Sequence, residues 1–493
     1  MGLENEYGIS SAQNTDPITL SNRLVNAYAK HIYPDSNFGW DYDVESPLRD
    51  ARGYDMSRSE ADLSQITNEN FLIPNIVLPN GARFYVDHAH PEFSSPEVLN
   101  PIDIAKWDLA GERIMSISCK LDEIENPEDK IRIFKNNVDN KGSSYGTHEN
   151  YQVKRSIDFS QIVLGLTPHF VTRQIYCGAG RIGIGQHSEV DGYQISQRAD
   201  YIEAHVGLET TMRRPIINTR DEPHADPKMS RRLHVIVGDA NMSDYSNVLK
   251  VGTTSLIISM IEDNFVDFSE VSLTNPVDEI KLISKDLEMK QTYTVKNGKK
   301  LTAINIQEWY LEKSKSYLSK IGYDDYSRQV VEFWEQTLTG LKTDKWILAD
   351  RIDWIAKLSL INKYREKQDL KLDDALIKSL DFKYSEITSN DGLAQILRSK
   401  NILKKIVFED DIIDAISQPP TDTRAWFRGK VVAKFSKSIA AASWDSLILD
   451  LDKNEPLLRI STPDPRKGTK ATSDDLLSKS NTVTEFANFI RSN

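Results

Sequence analysis

A run of sixteen residues, ARFYVDHAHPEFSSPE (82–97), alternates like a β-strand but carries groups that a buried strand does not tolerate. Phe84, Val86 and Ala89 are apolar, whereas Arg83, Asp87, His88, His90, Glu92 and Glu97 can all carry charge. A solvated loop has no need of the two prolines and the several aromatic residues found here. The run therefore indicates a strand that contributes charged side chains to a functional site.

Composition limits the class of protein. The chain has 493 residues, 39% hydrophobic and 27% charged, which indicates a folded globular protein with room for about two to four domains. The net charge of −12 argues against nucleic acid or anionic membranes as partners. No apolar run has the length of a membrane span, the N-terminus lacks a secretory signal, and Cys119 and Cys177 are the two cysteines. These features predict a cytoplasmic protein without a membrane partner.

The order of local patterns predicts an α+β fold. A helix is expected after Asp16-Pro17 and another over about 103–121. Four β-like runs follow: 161–176, 181–186, 214–219 and 231–243. The chain becomes mainly helical from about 250 to 407. We expect a catalytic domain over 1–415 and a small C-terminal domain over 416–493. The long polar segment 43–75 is expected to form a mobile loop over or beside a site.

Glu4 and Glu6, in GLENEYG, lie two residues apart in an expected strand and thus on one face. Two carboxylates on a half-buried face repel each other unless a cation neutralises them. A phosphate-bound Mg²⁺, which prefers oxygen ligands, accounts for the pair. The alternative is an exposed edge strand that presents both Glu to water.

Arg83, Tyr85 and Asp87 share a face of the next expected strand, with Glu92 shortly after. Arg neutralises phosphate oxygens, Asp attacks or deprotonates, and Glu ligates metals. His88 and His90 have the spacing of a transition-metal pair, but no Cys or third His follows at zinc-like spacing, which favours a structural role for at least one.

Other motifs are weaker. A lone His such as His148 or His234 is more often structural than a ligand. The GAGRIG sequence (178–183) matches G-x-G-x-x-G but lacks the βαβ context of a dinucleotide site, so we reject that interpretation. A basic segment over 213–232 suits phosphate or an acidic partner, or is a solvated surface. Its cations are Arg213, Arg214, Arg220, Lys228, Arg231 and Arg232.

Seven blocks together resemble the Pup ligase and Pup deamidase/depupylase family, whose members are relatives of glutamine synthetase. The blocks are GLENEYGIS, RFYVDHAHPEFSSPE, SYGTHENY, SQRADYIEAHVGLETT, RPIINTRDEPHAD, RRLHVIVGDANMS and DTRAWFRG, and the resemblance runs from Met1 to about Lys437. The insertion SPLRDARGYD, the spacing in YVDHAHPE and the run ADYIEAHVGLETT resemble the deamidase/depupylase branch.

The resemblance implies a curved antiparallel sheet of the glutamine synthetase type, backed by helices, that cradles ATP and Mg²⁺. It implies metal positions at Glu4, Tyr85 and Glu92, with Glu6 a further acidic participant. Arg83, Ser95 and Trp426 are implied as nucleotide contacts, and Asp87 as the catalytic aspartate. We extend the metal set to His148 and His234.

The implied activity is hydrolysis at the C-terminal residue of Pup, the prokaryotic ubiquitin-like protein. The enzyme would convert a terminal Gln to Glu and cleave the isopeptide bond between Pup and a lysine, with Pup and pupylated proteins as partners. Two questions remain open. The first is whether Asp87 acts as nucleophile or as general base, and the second is whether the cofactor is ATP or ADP plus phosphate. The alternatives are a Pup ligase acting through an acyl phosphate and an inactive paralogue. The 213–232 segment is a candidate for binding the acidic Pup tail.

Overall fold

The computed structural model describes residues 1–36, 38–43, 45–57, 74–139, 142–388, 391–451 and 455–492. Its centre is a six-stranded sheet in which every neighbouring pair is antiparallel. The spatial order is Ser230–Val235, Thr147–Lys154, Gly2–Glu6, His90–Ser94, Arg83–Asp87 and Asn75–Val77. The predicted α+β class with an antiparallel sheet is confirmed.

Strand alternation separates a buried face from a polar face. In Gly2–Glu6, Leu3 and Asn5 are buried, whereas Glu4 and Glu6 are partly accessible. The two strands of the opening motif, Arg83–Asp87 and His90–Ser94, pair across a tight turn in which His88 has a φ of 52°. A left-handed residue is what a short hairpin turn requires.

Helices cover the buried face, as predicted. Pro17–Ile32 begins at Asp16, whose side chain accepts from the Thr19 N–H, and Pro101–Glu125 begins at Asn100. Phe159–Thr172 and Asp244–Glu262 complete the layer. Leu3, Tyr151 and Leu233 of the sheet share one hydrophobic core with Leu166 and Leu249 of the last two helices. The helix Pro17–Ile32 packs in a second core with Phe84 and Phe93 of the sheet. The packing fixes the sheet and therefore the direction of its polar face.

The prediction of a β-like run over 161–176 is wrong. These residues form the helices Phe159–Thr172 and Gln174–Cys177. The first helix begins at Asp158, which accepts from the Ser160 N–H, and it contains Pro168. It is buried on most sides in the core, so it lacks the polar face by which a helix is recognised in sequence.

The other three β-like runs are confirmed as strands. Arg181–Ile184 pairs with Val190–Gln194 in a hairpin, so GAGRIG opens no helix. Arg214–Asn218 pairs in parallel with Ile202–Gly207, and Ser230–Val235 is the edge of the central sheet.

The mainly helical segment is also confirmed. Its remaining α-helices are Pro276–Lys285, Ala303–Ile321, Asp325–Thr343, Asp353–Gln368, Ala375–Tyr384 and Leu393–Ser399. Glu409–Ser417 and Ala425–Phe435 follow. The 3₁₀ helices are Ala199–Tyr201, Phe268–Val271, Lys345–Leu348 and Ser436–Ser438. Two further strand pairs are Gly8–Ser11 with Ile131–Phe134 and Tyr293–Thr294 with Lys300–Leu301. Among the residues described, no helix combines the length and apolar character needed to cross a bilayer.

The C-terminal region has a sheet of its own, in the order Leu458–Ser461, Ser446–Leu449, Ile439–Ala442 and Gly39–Trp40, and ends in helices Lys470–Lys479 and Val483–Ser492. Its edge strand thus comes from the N-terminal part of the chain, and Trp40 and Val77 share its core with Phe427 and Phe486. The boundary near 415 stays a prediction.

Residues 44 and 58–73 of the expected mobile loop lie outside the described residues. The described part holds the hairpin Arg49–Asp50 with Tyr54–Asp55. The Thr219 hydroxyl donates to Asp50 at 2.6 Å, and the Ser46 N–H donates to Glu222 Oε1 at 2.6 Å. The base of this segment is therefore attached beside the polar face of the central sheet.

Candidate active site

A cavity of about 510 Å³ lies on the polar face of the central sheet. Eight of the ten predicted site residues line it: Glu4, Glu6, Arg83, Tyr85, Asp87, Glu92, His148 and His234. Ser95 lines an adjoining cavity, and Trp426 lines neither of the two. Residues far apart in sequence thus meet in one space.

Glu6, Asp87 and Glu92 form the first acidic cluster, with a carboxylate oxygen from each within 4.8 Å of the others. Glu6 and Glu92 are direct partners in the register of adjacent strands. Glu92 is 2% exposed, and burial together with the carboxylates of Asp87, Glu6 and Glu4 raises its pKa well above the ordinary value. Such a cluster has the donor chemistry that a divalent cation with oxygen ligands requires.

Glu4, His148 and His234 form a second cluster, again with ligand atoms within 4.8 Å. Burial and the charge of Arg232 lower the pKa of His234 well below its ordinary value, so its imidazole is neutral. Burial alone would raise the pKa of Glu4, but the hydrogen bond with His148 and the nearby charge of Arg232 lower it. Asn150 Nδ2 donates to Glu4 Oε1 at 2.8 Å and fixes that carboxylate. An ionised carboxylate beside a neutral imidazole is a metal-ligand set.

Asp87 ends its strand at the edge of the cavity, with 28% of its side chain exposed. Its Oδ2 lies 2.7 Å from His88 Nδ1. Burial opposes ionisation, but the hydrogen bond with His88 and the surrounding positive charges outweigh it and lower the pKa of Asp87. Asp87 is therefore a carboxylate that can act as a base or a nucleophile.

Tyr85 and Arg83 occupy the same face as Asp87. Tyr85 pairs with Glu92 in register, and burial together with that carboxylate raises the pKa of its phenol, which stays neutral. The Arg83 guanidinium lies 3.8 Å from the ring centroid of Trp40 and 3.9 Å from that of Tyr85. Its Nε donates to Asn75 Oδ1 at 2.9 Å. Arg83 is thus held in place as a cation for an anionic group.

Four further arginines line the cavity: Arg198, Arg214, Arg220 and Arg232. Arg220 pairs with Glu222 at 2.7 Å, and Arg232 Nη1 donates to Asn150 Oδ1 at 2.6 Å. The basic segment 213–232 pointed to three of the four. Arg213 is exposed outside the cavity, and Arg231 stacks on Phe159 at 5.5 Å, on the other face of its strand.

Sequence reasoning missed several polar residues at the site, among them Asn150, Glu222 and Arg198. Asn150 connects Glu4, Arg232 and His234, and Glu222 pairs with Arg220 and Arg232. Neither has a local sequence signal. Arg198 stands inside the block SQRADYIEAHVGLETT, where its position beside Asp200 gave no hint that it faces the cavity.

The adjoining cavity, about 110 Å³, is lined by Met1, Leu3, Ser95, Val98 and Ala225, among others. It shares Glu4, His224, Arg232 and Trp444 with the main cavity. The Ser95 hydroxyl accepts from the Leu3 N–H at 2.9 Å. A mostly apolar space that continues from the acids and arginines suits a nucleoside whose phosphates extend into the main cavity.

Trp426 lies elsewhere. Its Nε1 donates to Asp474 Oδ1 at 2.7 Å, and it lines a separate surface groove with Lys430. Trp444 is the tryptophan that lines both cavities. The position of Trp426 gives no support to the predicted nucleotide contact.

An antiparallel sheet with acids, arginines and one partly exposed aspartate on its polar face indicates a class of protein, an enzyme with sites for divalent cations and for anionic groups. Within that class, the chain belongs to the Pup-ligase protein family, whose model matches residues 1–448. The predicted family is confirmed.

Two full-length relatives are similar to the chain. The depupylase of Acidothermus cellulolyticus is 46% identical over 492 residues, which are 99% of this chain and 98% of the relative. The Pup deamidase/depupylase of Mycolicibacterium smegmatis is 44% identical over 490 residues, with 99% and 98% covered.

Two solved structures are similar in fold. The complex of Pup with its ligase PafA superposes with a TM-score of 0.80 at 29% identity, covering 97% of this chain and 91% of that one. PafA bound to ADP superposes with a TM-score of 0.74 at 33% identity, covering 82% and 89%. The two relatives named as depupylases are thus more similar in sequence to this chain than the two ligases of known structure are. The insertion and the spacing around Asp87 predicted this order.

Proposed function

We propose that this protein is a nucleotide- and Mg²⁺-dependent amidohydrolase of the Pup system. It deamidates the C-terminal Gln of Pup to Glu, and it cleaves the isopeptide bond that joins Pup to a substrate lysine. The full-length similarity to relatives named for these activities supports the proposal. The observation that carries it is that Asp87 lines one cavity with two clusters of groups that could hold a metal ion, the first of which includes Asp87 itself.

The residues present fit divalent cations. Glu92 is buried among like charges, a costly arrangement that a cation relieves. Glu6, Tyr85 and Glu92 would hold one Mg²⁺, and Glu4, His148 and His234 a second. Arg83 would bind phosphate oxygens, and Ser95 would lie beside the nucleoside of ATP or of ADP accompanied by phosphate. When bound, Mg²⁺ would supply positive charge near the oxyanion that develops at the amide carbon, and the phosphates would help to hold the cation.

Asp87 performs the chemistry by one of two routes. It attacks the side-chain carbonyl carbon of the terminal residue to form an anhydride that water then hydrolyses, or it takes a proton from the water that attacks this carbon directly. In both, the C–N bond breaks, the nitrogen leaves as ammonia or as the lysine amine with its proton gained, and a carboxyl group remains. Because the amide and the isopeptide involve the same side-chain carbon, one site serves both reactions.

We place the protein in the cytoplasm with Pup and pupylated proteins as its partners. Both cysteines, Cys119 and Cys177, are buried and free, which suits a reducing compartment. Of the basic segment, Arg214, Arg220 and Arg232 are positioned to receive acidic groups of Pup at the cavity.

A paired assay tests the proposal against ligation. Purified protein receives ATP and Mg²⁺ with Pup ending in Gln, and separately with Pup ending in Glu plus a lysine-bearing protein. We expect ammonia from the first mixture and no conjugate in the second. Conjugate formation without ammonia release would identify a ligase, and neither product would identify an inactive paralogue.

A further inference from the structure

Two arginines stand apart from the proposed nucleotide site. Arg198 and Arg214 line the main cavity but not the adjoining apolar one, whereas Arg232 lines both. Arg198 Nη1 donates to the Tyr145 carbonyl at 2.6 Å, and Arg214 Nη2 donates to the Ser144 carbonyl at 2.8 Å. Their guanidinium groups are therefore held side by side on consecutive carbonyls of one loop.

This loop adjoins Glu6 and Asp87. The Glu6 N–H donates to the Gly146 carbonyl at 3.1 Å. The Tyr145 ring stacks on that of His90 at 4.3 Å, and His90 is the register partner of Asp87. Arg198 and Arg214 thus lie at the end of the cavity where hydrolysis is proposed, away from the nucleoside.

Their charge is incompletely balanced. Arg198 is 1% exposed, and within the described part of the chain its Nε is buried without a hydrogen-bond partner. Burial and the adjacent Arg214 lower the pKa of Arg198 to about 10. Glu6 is the cavity carboxylate that acts on both arginines, and it also belongs to the first acidic cluster. A cation bound at that cluster would neutralise Glu6. The positive charge of Arg198 and Arg214 would then be available to bind an anion.

The pair is also rigid. The Gln197 N–H donates to Asp239 Oδ2 at 2.9 Å and the Arg198 N–H donates to Ser196 Oγ at 3.1 Å, so the backbone beneath Arg198 is fixed. Arg214 is held at its Nε by the Thr210 carbonyl at 3.0 Å. Preorganised guanidinium groups suit the bidentate recognition of a carboxylate.

We propose that Arg198 and Arg214 bind the free α-carboxylate of the terminal residue of Pup and thereby restrict hydrolysis to a C-terminal Gln or Glu. The inference rests on the proposed function, because the α-carboxylate belongs to the same residue as the side-chain amide. An internal Gln lacks this group, so the arginine pair distinguishes a terminal side chain from all others.

The test uses Pup whose terminal Glu carries a dye-labelled lysine on its side chain, with the α-carboxyl group either free or converted to an α-carboxamide. Dye-lysine release gives kcat/KM for each form. For the wild type with ATP and Mg²⁺, we expect the carboxamide to be cleaved about tenfold to a hundredfold less efficiently. In the variants Arg198→Gln and Arg214→Gln, kcat/KM for the free-carboxyl form should fall towards the value for the carboxamide form. The ratio of the two kcat/KM values should therefore approach one. Arg213→Gln, at an exposed neighbour outside the cavity, should keep the wild-type ratio.

Binding separates this inference from the proposed function. Fluorescence anisotropy measures the affinity of the variant Asp87→Asn for both forms of Pup. This variant should bind the free-carboxyl form more tightly than the carboxamide form, and the double variant Asp87→Asn/Arg198→Gln should bind the two forms equally. A wild type that cleaves neither form contradicts the proposed function, while the binding preference still tests the arginine pair. A wild-type ratio near one, or a ratio unchanged in both arginine variants, overturns the inference. So does a loss of nucleotide affinity in Arg198→Gln with the ratio retained.

Discussion

Glu6 lies directly opposite Glu92 in the antiparallel register of Gly2–Glu6 and His90–Ser94. The two carboxylates project from the same face of the sheet, with Asp87 as a third. Since Glu92 is almost fully buried beside these carboxylates, its raised pKa keeps it uncharged in the metal-free protein, and a bound cation would favour its ionised form. The first two predictions follow from this relationship.

Replacing Glu92 by Gln should mimic the uncharged carboxyl group and remove a cation ligand. Without Mg²⁺, the variant should be as stable as the wild type or more stable, by up to about 2 kcal/mol in the free energy of unfolding. Mg²⁺ should raise the melting temperature of the wild type but not of the variant. Thermal unfolding with and without Mg²⁺ measures both effects. Glu203→Gln, at an exposed site, should retain the Mg²⁺ response, and a full response in Glu92→Gln would contradict the assignment.

Gly146→Ala should disturb the ligands without disturbing the fold. A Cβ at Gly146 would lie 2.2 Å from His148 Nε2 and 2.6 Å from Glu6 Oε1, both at the ends of movable side chains. We expect a change below about 1 kcal/mol in stability but at least about a tenfold loss in Mg²⁺ affinity, measured by calorimetric titration. Gly39→Ala, where no atom lies within 4 Å of the added carbon, is the matched control. Equal affinities in both variants would remove Glu6 and His148 from the metal site.

Arg83→Met should weaken nucleotide binding by about tenfold to a hundredfold, because a preorganised charged donor to phosphate is lost. The methionine retains part of the contact with the rings of Trp40 and Tyr85. Binding of a fluorescent ATP analogue measures the change. Arg113→Met, which breaks the exposed pair with Glu409, should bind like the wild type. Unchanged affinity in Arg83→Met would place the phosphates elsewhere.

Glu97 should govern part of the acid stability. Although burial opposes its ionisation, Arg428 and Arg424 outweigh burial and lower its pKa from 4.5 to about 2. A carboxyl group with a lowered pKa stabilises the fold at every pH above its ordinary pKa. This stabilisation is lost as the pH falls from about 4.5 to about 2. The contribution is about 3 kcal/mol at neutral pH.

Urea unfolding across this pH range measures the effect. Glu97→Gln should be less stable than the wild type at pH 7 and should lose less stability on acidification. Asp35→Asn, in the exposed pair with Lys437, should change stability little. If the free energy of unfolding of Glu97→Gln and of the wild type changed with pH in parallel, the ion pairs of Glu97 with Arg424 and Arg428 would not contribute to acid stability.

The sequence was sufficient to predict which residues share a strand face but not which strands are neighbours. Period-two alternation places Glu4 with Glu6, and Arg83 with Tyr85 and Asp87. That Glu6 meets Glu92 depends on the pairing of segments more than 80 residues apart, which local patterns do not encode. The resemblance to a family supplied this step, and the structure supplied the partners Asn150 and Glu222.

Burial also concealed one element. The run 161–176 was predicted as a strand because a helix inside the core has no polar face to reveal its period. The basic segment shows a related limit. Arg231 and Arg232 are neighbours in sequence, but strand alternation sends Arg232 to the cavity and Arg231 to Phe159, a division that charge counting does not detect.

The most direct test of the account is ammonia release from Pup ending in Gln, measured for the wild type and for Asp87→Asn with ATP and Mg²⁺. We predict release by the wild type, a loss of at least about a thousandfold in the variant, and nucleotide affinity within about twofold of the wild type. Ammonia release by Asp87→Asn at the wild-type rate would contradict the account, because the chemistry would then belong to another residue.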